Sequence, residues 1–249
     1  MNEFFESNHR LVFQEWIQPE ELTNTTILDL GCGTGWLGEY CKEHGASHYV
    51  GIDIDEYLIN NAKKDYPDLT FFIEDAEVFV KDCIADKKFF DIVVISRTLQ
   101  GIQNQITFLQ DVSKITNQIV LETGVPVNFG AHKILDMLKN TVLTEEQQSQ
   151  INNIVNYIEY DQPFIEYVVD DRFVQPIPSI GLFKQLANKI GFELCLKTYE
   201  SVKQKYPTEY GYHFKNKEWD LIGKSILKLK RLDKTAKPIS WKEWNDTLQ

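Results

Sequence analysis

Apolar residues in the first half of the chain fall in short, nearly unbroken runs separated by stretches of helical period. The runs centre on Leu28, Val50, Phe72, Val93 and Val120. They have no alternating polar face, which is the pattern of strands buried on both sides. Between them, residues 35–44, 56–65, 76–85 and 101–115 read as helices. Ile102, Ile106 and Leu109 form one apolar stripe, and Gly45 supplies a stop. Five strands joined by helices predict a parallel, doubly wound α/β sheet. After Glu122 the rhythm breaks. A helix is expected from Ser179, with Leu182, Phe183, Leu186 and Ile190 on one face and Gly191 at its end. Strands are expected at 193–199 and at 223–231, where Ile226, Leu227 and Leu229 mix with lysines.

Residues 123–178 thus read as an insertion after the fifth strand. It carries structure of its own: Thr144 and Gln147 have capping-box spacing, and Ile151, Ile154, Val155 and Ile158 share a helical face. An insertion at the carboxyl end of a parallel sheet lies over the ligand crevice, so 123–178 is expected to be a helical substrate cover. Residues 1–25 read as an amino-terminal helical cap. Their pattern of Phe4, Leu11, Val12, Trp16 and Ile17 is ended by Pro19. The remainder, 26–249, is one domain.

Chemistry concentrates at the ends of the first strands. Ile27–Gly35 read ILDLGCGTG, a strand running into a glycine-rich turn. Gly51–Asp55 read GIDID, a second strand with an acid about 20 residues beyond the glycines, the spacing of an adenosine-binding βαβ unit. Gly33, Gly35 and Gly38 fit the dinucleotide pattern G-x-G-x-x-G. The strand ends near Leu30, however, which leaves Gly31 and Cys32 surplus to that pattern. Thr70–Ala76 read TFFIEDA and Phe90–Ser96 read FDIVVIS. These four ordered matches, across roughly 26–122, resemble the class I S-adenosylmethionine-dependent methyltransferases.

The resemblance implies a seven-stranded, mostly parallel sheet whose last strand runs antiparallel, and S-adenosylmethionine as cofactor. The implied cofactor-binding set is Asp29, Gly31, Cys32, Gly33, Gly35, Asp53, Ile54, Asp75, Ala76 and Ser96. Within it Asp53 is the ribose acceptor, Asp75 with Ala76 meets the adenine, and Asp29 orients the turn or contacts the cofactor ammonium. Asp75 also suits a helix N-cap. Some relatives carry a histidine pair after the fourth strand; here Leu99 and Gln100 stand there. LET at 121–123 with the later Arg172, Ile-Pro-Ser and Gly-Phe loosely resembles the tRNA wobble-uridine carboxymethyltransferases. Many small-molecule methyltransferases end similarly. Candidates for acceptor binding and catalysis are His132, Tyr167, Arg172, His213 and Arg97, with either histidine able to take a proton at neutral pH.

Composition narrows the partners. The chain has 249 residues, 43% of them hydrophobic, and a formal net charge of -11. An acidic chain does not draw nucleic acid by its overall field. Lysines at 224, 228, 230, 234 and 237 form a basic tail that reads as a solvated strand face rather than an RNA track. No apolar run approaches the ~18 residues of a membrane span, and the acidic start lacks signal-peptide character. The expectation is a cytoplasmic protein without a membrane partner. Cys32, Cys41, Cys83 and Cys195 lack C-x-x-C spacing, and His44 with His48 fall away from the crevice, so no metal site is expected. Trp241 and Trp244 are expected to pack the tail onto the domain or onto a second copy in a homodimer.

The expected activity is methyl transfer to an oxygen or nitrogen of a small metabolite or sugar-like acceptor. Two rivals stand beside it: a tRNA-modifying methyl or carboxymethyl transferase, and a non-catalytic cofactor-binding or assembly protein.

Overall fold

The computed structural model describes residues 16–124, 144–156, 164–169, 173–178, 180–198 and 224–233. In chain order the first part holds α1 (Pro19–Leu22), β1 (Thr26–Leu30), α2 (Trp36–Glu43), β2 (His48–Asp53), α3 (Glu56–Asp65), β3 (Thr70–Ile73), α4 (Ala76–Ala85), β4 (Phe90–Ser96), a 3-10 turn (Leu99–Gly101), α5 (Gln105–Val112) and β5 (Thr116–Gly124). Then come α6 (Glu145–Asn156), β6 (Phe164–Val169), β7 (Phe173–Pro178), α7 (Ile180–Ile190), β8 (Phe192–Thr198) and β9 (Lys224–Arg231).

Seven strands form one sheet in the order β3-β2-β1-β4-β5-β9-β8. The four pairs from β3 to β5 are parallel, with Leu28 opposite both Val50 and Val93, and Val93 opposite Ile119. All four of these side chains are buried. Continuous apolar strands therefore do become the centre of a sheet covered on both faces. The strand order reverses between β1 and β4. In an open parallel sheet the crevice outside the carboxyl ends at such a reversal is where ligands bind.

The helices bury one stripe each: Leu37, Tyr40 and Cys41 on α2, Ile59 and Ala62 on α3, Val80 and Cys83 on α4. α5 begins later than its apolar pattern suggests, at Gln105. Its buried face is Gln105, Phe108, Leu109 and Val112, while Ile102 precedes it. Pro19 opens α1. A proline lacks only an N–H that the first helical position would leave unbonded anyway. The rest of the expected amino-terminal cap, residues 1–15, lies outside the described residues.

α1 is held to β9 by charge. The Lys228 ammonium donates to the two carboxylate oxygens of Glu21 at 2.9 and 2.7 Å and to the Trp16 carbonyl. Lys230 donates to the same carboxylate at 2.9 Å. Burial pushes the Glu21 carboxyl up, but the two lysines more than offset it and hold it below its ordinary range. The solvated face expected for the strand lysines is thus corrected at Lys228, which is buried. An ammonium that leaves water needs a carboxylate partner, and Glu21 supplies it. Lys234 and Lys237 lie outside the described residues.

The chain separates into two compact units, one of them Gly124–Lys189 with Leu196–Ser225. Within that unit α6 starts at a capping box: the Gln147 N–H donates to the Thr144 hydroxyl at 3.2 Å, and the Thr144 N–H donates to Gln147 Oε1 at 3.0 Å. It also contains an antiparallel hairpin, β6–β7, with Tyr167 opposite Gln175. The helical reading of the insertion missed that hairpin. Pro176 and Pro178 disguise β7, yet a two-stranded ribbon has an outer edge on each strand, where a missing N–H costs nothing. On α7, Phe183, Leu186 and Ala187 are buried.

Candidate functional site

The glycine-rich turn is strapped to the end of β2. The N–H groups of Gly31 and Cys32 both donate to the Ile52 carbonyl, at 2.7 and 3.0 Å. Gly31 is required by close approach. A Cβ there would lie 1.7 Å from Thr98 Oγ1, which belongs to the loop after β4. Gly33 is different: at φ +56° its missing Cβ would meet no atom of the described residues within 4 Å. This is a backbone cradle that a ligand can enter. Gly35 opens α2. The Cys32 side chain turns inward, where its Sγ would lie 2.8 Å from a Cβ on Gly51. Burial, reinforced by the charges of Asp29 and Asp53, pushes its thiol far above the usual range, so it is a packing group and not a nucleophile.

Asp53 ends β2 beside this turn. Its Oδ2 accepts the Gly33 N–H at 2.9 Å and its Oδ1 accepts the Asp55 N–H at 2.9 Å. Four of the five exposed large apolar side chains among the described residues cluster at the carboxyl ends of β2 and β3. Ile54 and Tyr57 follow Asp53 at 72% and 74% exposure, Ile73 is its register partner at 43%, and Val78 opens α4 at 45%. Apolar side chains left this open beside two carboxylates make a surface for a flat, partly polar ligand. Asp75 is the N-cap of α4, its Oδ1 accepting from Glu77 and Val78 N–H at 2.8 and 3.1 Å. Ala76 is the first helical residue.

Asp29 sits in the middle of the sheet, opposite Gly51 and Val94, and is buried. Its Oδ2 accepts the Tyr49 hydroxyl at 2.6 Å, while its buried Oδ1 has no hydrogen-bond partner among the described residues. Burial raises its carboxyl to about 7; the Tyr49 hydrogen bond partly opposes this and the Asp53 charge adds to it. A buried carboxylate oxygen lacking a donor is costly, and a cationic ligand group would relieve the cost.

Across the switch point stands a second constellation that the sequence reading only half found. Ser96 Oγ donates to Glu122 Oε2 at 2.5 Å, and Arg97 Nε donates to Glu122 Oε1 at 3.2 Å. The Arg97 N–H also donates to the Glu122 carbonyl at 3.0 Å. Glu122 is 1% exposed and the Arg97 side chain 41% exposed, so the pair runs from the interior to the surface. Arg97 adopts φ +57°, a left-handed backbone that costs a non-glycine residue roughly 1–2 kcal/mol. The grip of Glu122 on both its backbone and its side chain holds it there. Ser96 was expected to meet the cofactor, and here its hydroxyl is turned to Glu122. Glu122 was legible as a strand-end acid, but its role depends on register: it lies directly opposite Ser96.

The other candidates are less accessible to description. His132, Arg172 and His213 lie outside the described residues, and Tyr167 is placed only by its position on β6. His44 accompanies the end of α2, its Nδ1 2.8 Å from the Tyr40 carbonyl, and His48 starts β2 at the end opposite Asp53. Among the described residues, no three His, Cys, Asp or Glu side chains are grouped to hold a metal, and no helix is long and apolar enough to cross a membrane.

Residues 27–118 match the family model described as a methyltransferase domain. Ribosomal protein L11 methyltransferases of Thermotoga petrophila and Thermotoga maritima are each 33% identical to this chain over 95 residues, which is 37% of this chain. The matched segment spans only 33% of those relatives' own length. Among solved structures, an S-adenosylmethionine dependent methyltransferase from Mesorhizobium loti aligns with a TM-score of 0.54 at 18% identity, covering 87% of this chain and 97% of that one. Magnesium protoporphyrin IX methyltransferase from Synechocystis PCC 6803, crystallised with S-adenosylmethionine, aligns at 0.53 and 12% identity, covering 92% of this chain and 80% of that one. Such distant structural likenesses carry the fold. Residues 27–118 are thus similar to a methyltransferase domain, and the fold is shared with solved S-adenosylmethionine-dependent methyltransferases.

Proposed function

We propose that this protein binds S-adenosylmethionine in the crevice at the β1/β4 switch point and transfers its methyl group to an oxygen or nitrogen of a small acceptor. The supporting observation is the convergence of three unlike features: the open cradle at Gly33, the Asp53 carboxylate bonded to it, and the unpartnered Asp29 oxygen. Asp53 would accept the ribose hydroxyls, and Ile54, Tyr57, Ile73 and Val78 would cover the adenine faces beside Asp75. Asp29 would meet the ammonium of the cofactor's amino acid. The bound cofactor supplies an electrophilic methyl on a sulfonium, so the chain's task is mainly alignment and exclusion of water.

The acceptor belongs at the ends of β4 and β5, where Arg97 is held by buried Glu122. A guanidinium fixed in this way favours an acceptor with a carboxylate or phosphate. In this reading His132, Tyr167, Arg172 and His213 are the further candidates for acceptor binding, 123–178 is the substrate-covering insertion, and 1–25 is an amino-terminal helical cap. The rival tRNA acceptor is weakened because Lys228 and Lys230 are both bonded to Glu21. A protein acceptor is the stronger rival, given the relatives' name. Incubation with methyl-labelled S-adenosylmethionine and, separately, a metabolite extract, total protein and tRNA tests the reading. Label in the metabolite fraction alone supports it; label confined to protein or tRNA overturns the small-acceptor part. No transfer to any fraction by a protein that binds S-adenosylmethionine favours the non-catalytic rival.

A further inference from the structure

Tyr49 occupies a position with no part in the glycine motif, yet its ring is closely fixed. The ring is buried in β2 and meets Phe71 edge-on, with centroids 5.9 Å apart. On the α2 side, a Cβ at Gly38 would come within 2.8 Å of the ring, so the helix has room for Tyr49 only because residue 38 is glycine. Held in this way, the hydroxyl has one direction, toward Asp29 Oδ2 at 2.6 Å. Burial and the Asp29 charge push the phenol well above its usual range, so Tyr49 keeps its proton and always donates.

The other groups acting on Asp29 or acted on by it are Asp53, whose charge opposes ionisation, and the thiols of Cys32 and Cys41, both pushed far upward by burial and therefore neutral. Among the described residues Asp29 thus has one donor, one opposing charge and one bare oxygen. In water-excluded surroundings that balance leaves the carboxyl poised between its two protonation states near neutral pH.

We propose that Tyr49 is a positioning residue for the cofactor: by holding Oδ2 it reserves Oδ1 of Asp29 for the ligand's ammonium, so that ligand binding expels a proton from Asp29. The inference rests on the cofactor reading above. The step balances simply. The neutral carboxyl and the ammonium give a carboxylate–ammonium pair, and the carboxyl proton passes to solvent buffer. No covalent bond of the ligand changes.

Two ligands separate this inference from the reading beneath it. S-adenosylhomocysteine carries the ammonium; 5′-methylthioadenosine shares the adenosine and the thioether but lacks the amino acid. Calorimetry of the unmodified protein is run from pH 5.5 to 7.5, below the titration of the ligand's amine, in buffers of different ionisation enthalpy. The expected result is release of about half a proton or more per S-adenosylhomocysteine at pH 6.5. Its affinity should rise on the order of tenfold across the range while that of methylthioadenosine stays flat. Tyr49→Phe should move the pH midpoint upward, with affinity recovered at higher pH and methylthioadenosine unaffected. A merely structural Tyr49 would weaken both ligands at every pH. S-adenosylhomocysteine binding without proton release, or with the same pH profile as methylthioadenosine, overturns the inference and leaves the cofactor reading intact. If neither ligand binds, the cofactor reading falls and the inference with it.

Discussion

The backbone N–H of Gly33 donates to Oδ2 of Asp53 at 2.9 Å, joining the turn after the first strand to the acid that ends the second. The bond ties the two motifs together. The carboxylate fixes the glycine turn, and the turn in turn fixes the carboxylate's orientation, leaving both facing the switch point.

Two glycine substitutions should behave oppositely. Gly33→Ala adds a methyl group to open space at a left-handed backbone, so it should fold with a loss of about 1–2 kcal/mol and weaken S-adenosylhomocysteine binding disproportionately. Gly31→Ala drives a methyl group onto Thr98 and should chiefly lower the melting temperature. Thermal melts with and without ligand separate the two effects.

Asp29 should make the ligand-free protein less stable as pH rises. Its carboxyl is raised from an ordinary 3.8 to about 7 in the fold, so the neutral form is the one the fold prefers. Its favourable contribution is complete below the unfolded value and is lost as pH climbs through about 7. Asp29→Asn removes this titration. The stability difference between variant and parent should therefore shift in favour of the variant by up to roughly 4 kcal/mol between pH 4 and pH 8. Urea melts at several pH values measure this shift. A difference independent of pH would show that Asp29 ionises normally.

Arg97→Ala should separate catalysis from cofactor binding. Removing the guanidinium leaves the Glu122 charge buried with the Ser96 hydroxyl as a remaining donor, which should cost roughly 1–3 kcal/mol of stability. Cofactor affinity should survive, since Arg97 lies across the switch point from the glycine turn. Methyl transfer to an anionic acceptor should fall at least tenfold, whereas Arg97→Lys should retain part of it. Equal turnover by all three proteins would move the acceptor site elsewhere.

The legible and illegible parts of the molecule divide along physical lines. Strands β1 to β5 were legible because burial on both faces forces continuous apolar runs, and Gly31, Gly33 and Gly35 because a turn at positive φ demands glycine. Asp75 was legible as both cap and ligand candidate, and the capping bonds are present. Lys228 was misread because its burial depends on Glu21, 207 residues away in sequence. The β6–β7 hairpin was missed because prolines mask a strand that has no inner neighbour. Glu122 and Tyr49 escaped for a common reason. Each acquires its role from a register partner or neighbour on another strand.

The most direct test of the account is a calorimetric titration of the purified protein with S-adenosylhomocysteine, and separately with NAD, repeated on Asp53→Ala. The account predicts saturable one-to-one binding of S-adenosylhomocysteine, weakened by roughly 1–3 kcal/mol in the variant and partly retained in Asp53→Asn, with NAD bound weakly or not at all. Unchanged affinity in a folded Asp53→Ala protein would contradict the ribose assignment, and NAD binding more tightly than S-adenosylhomocysteine would contradict the cofactor itself.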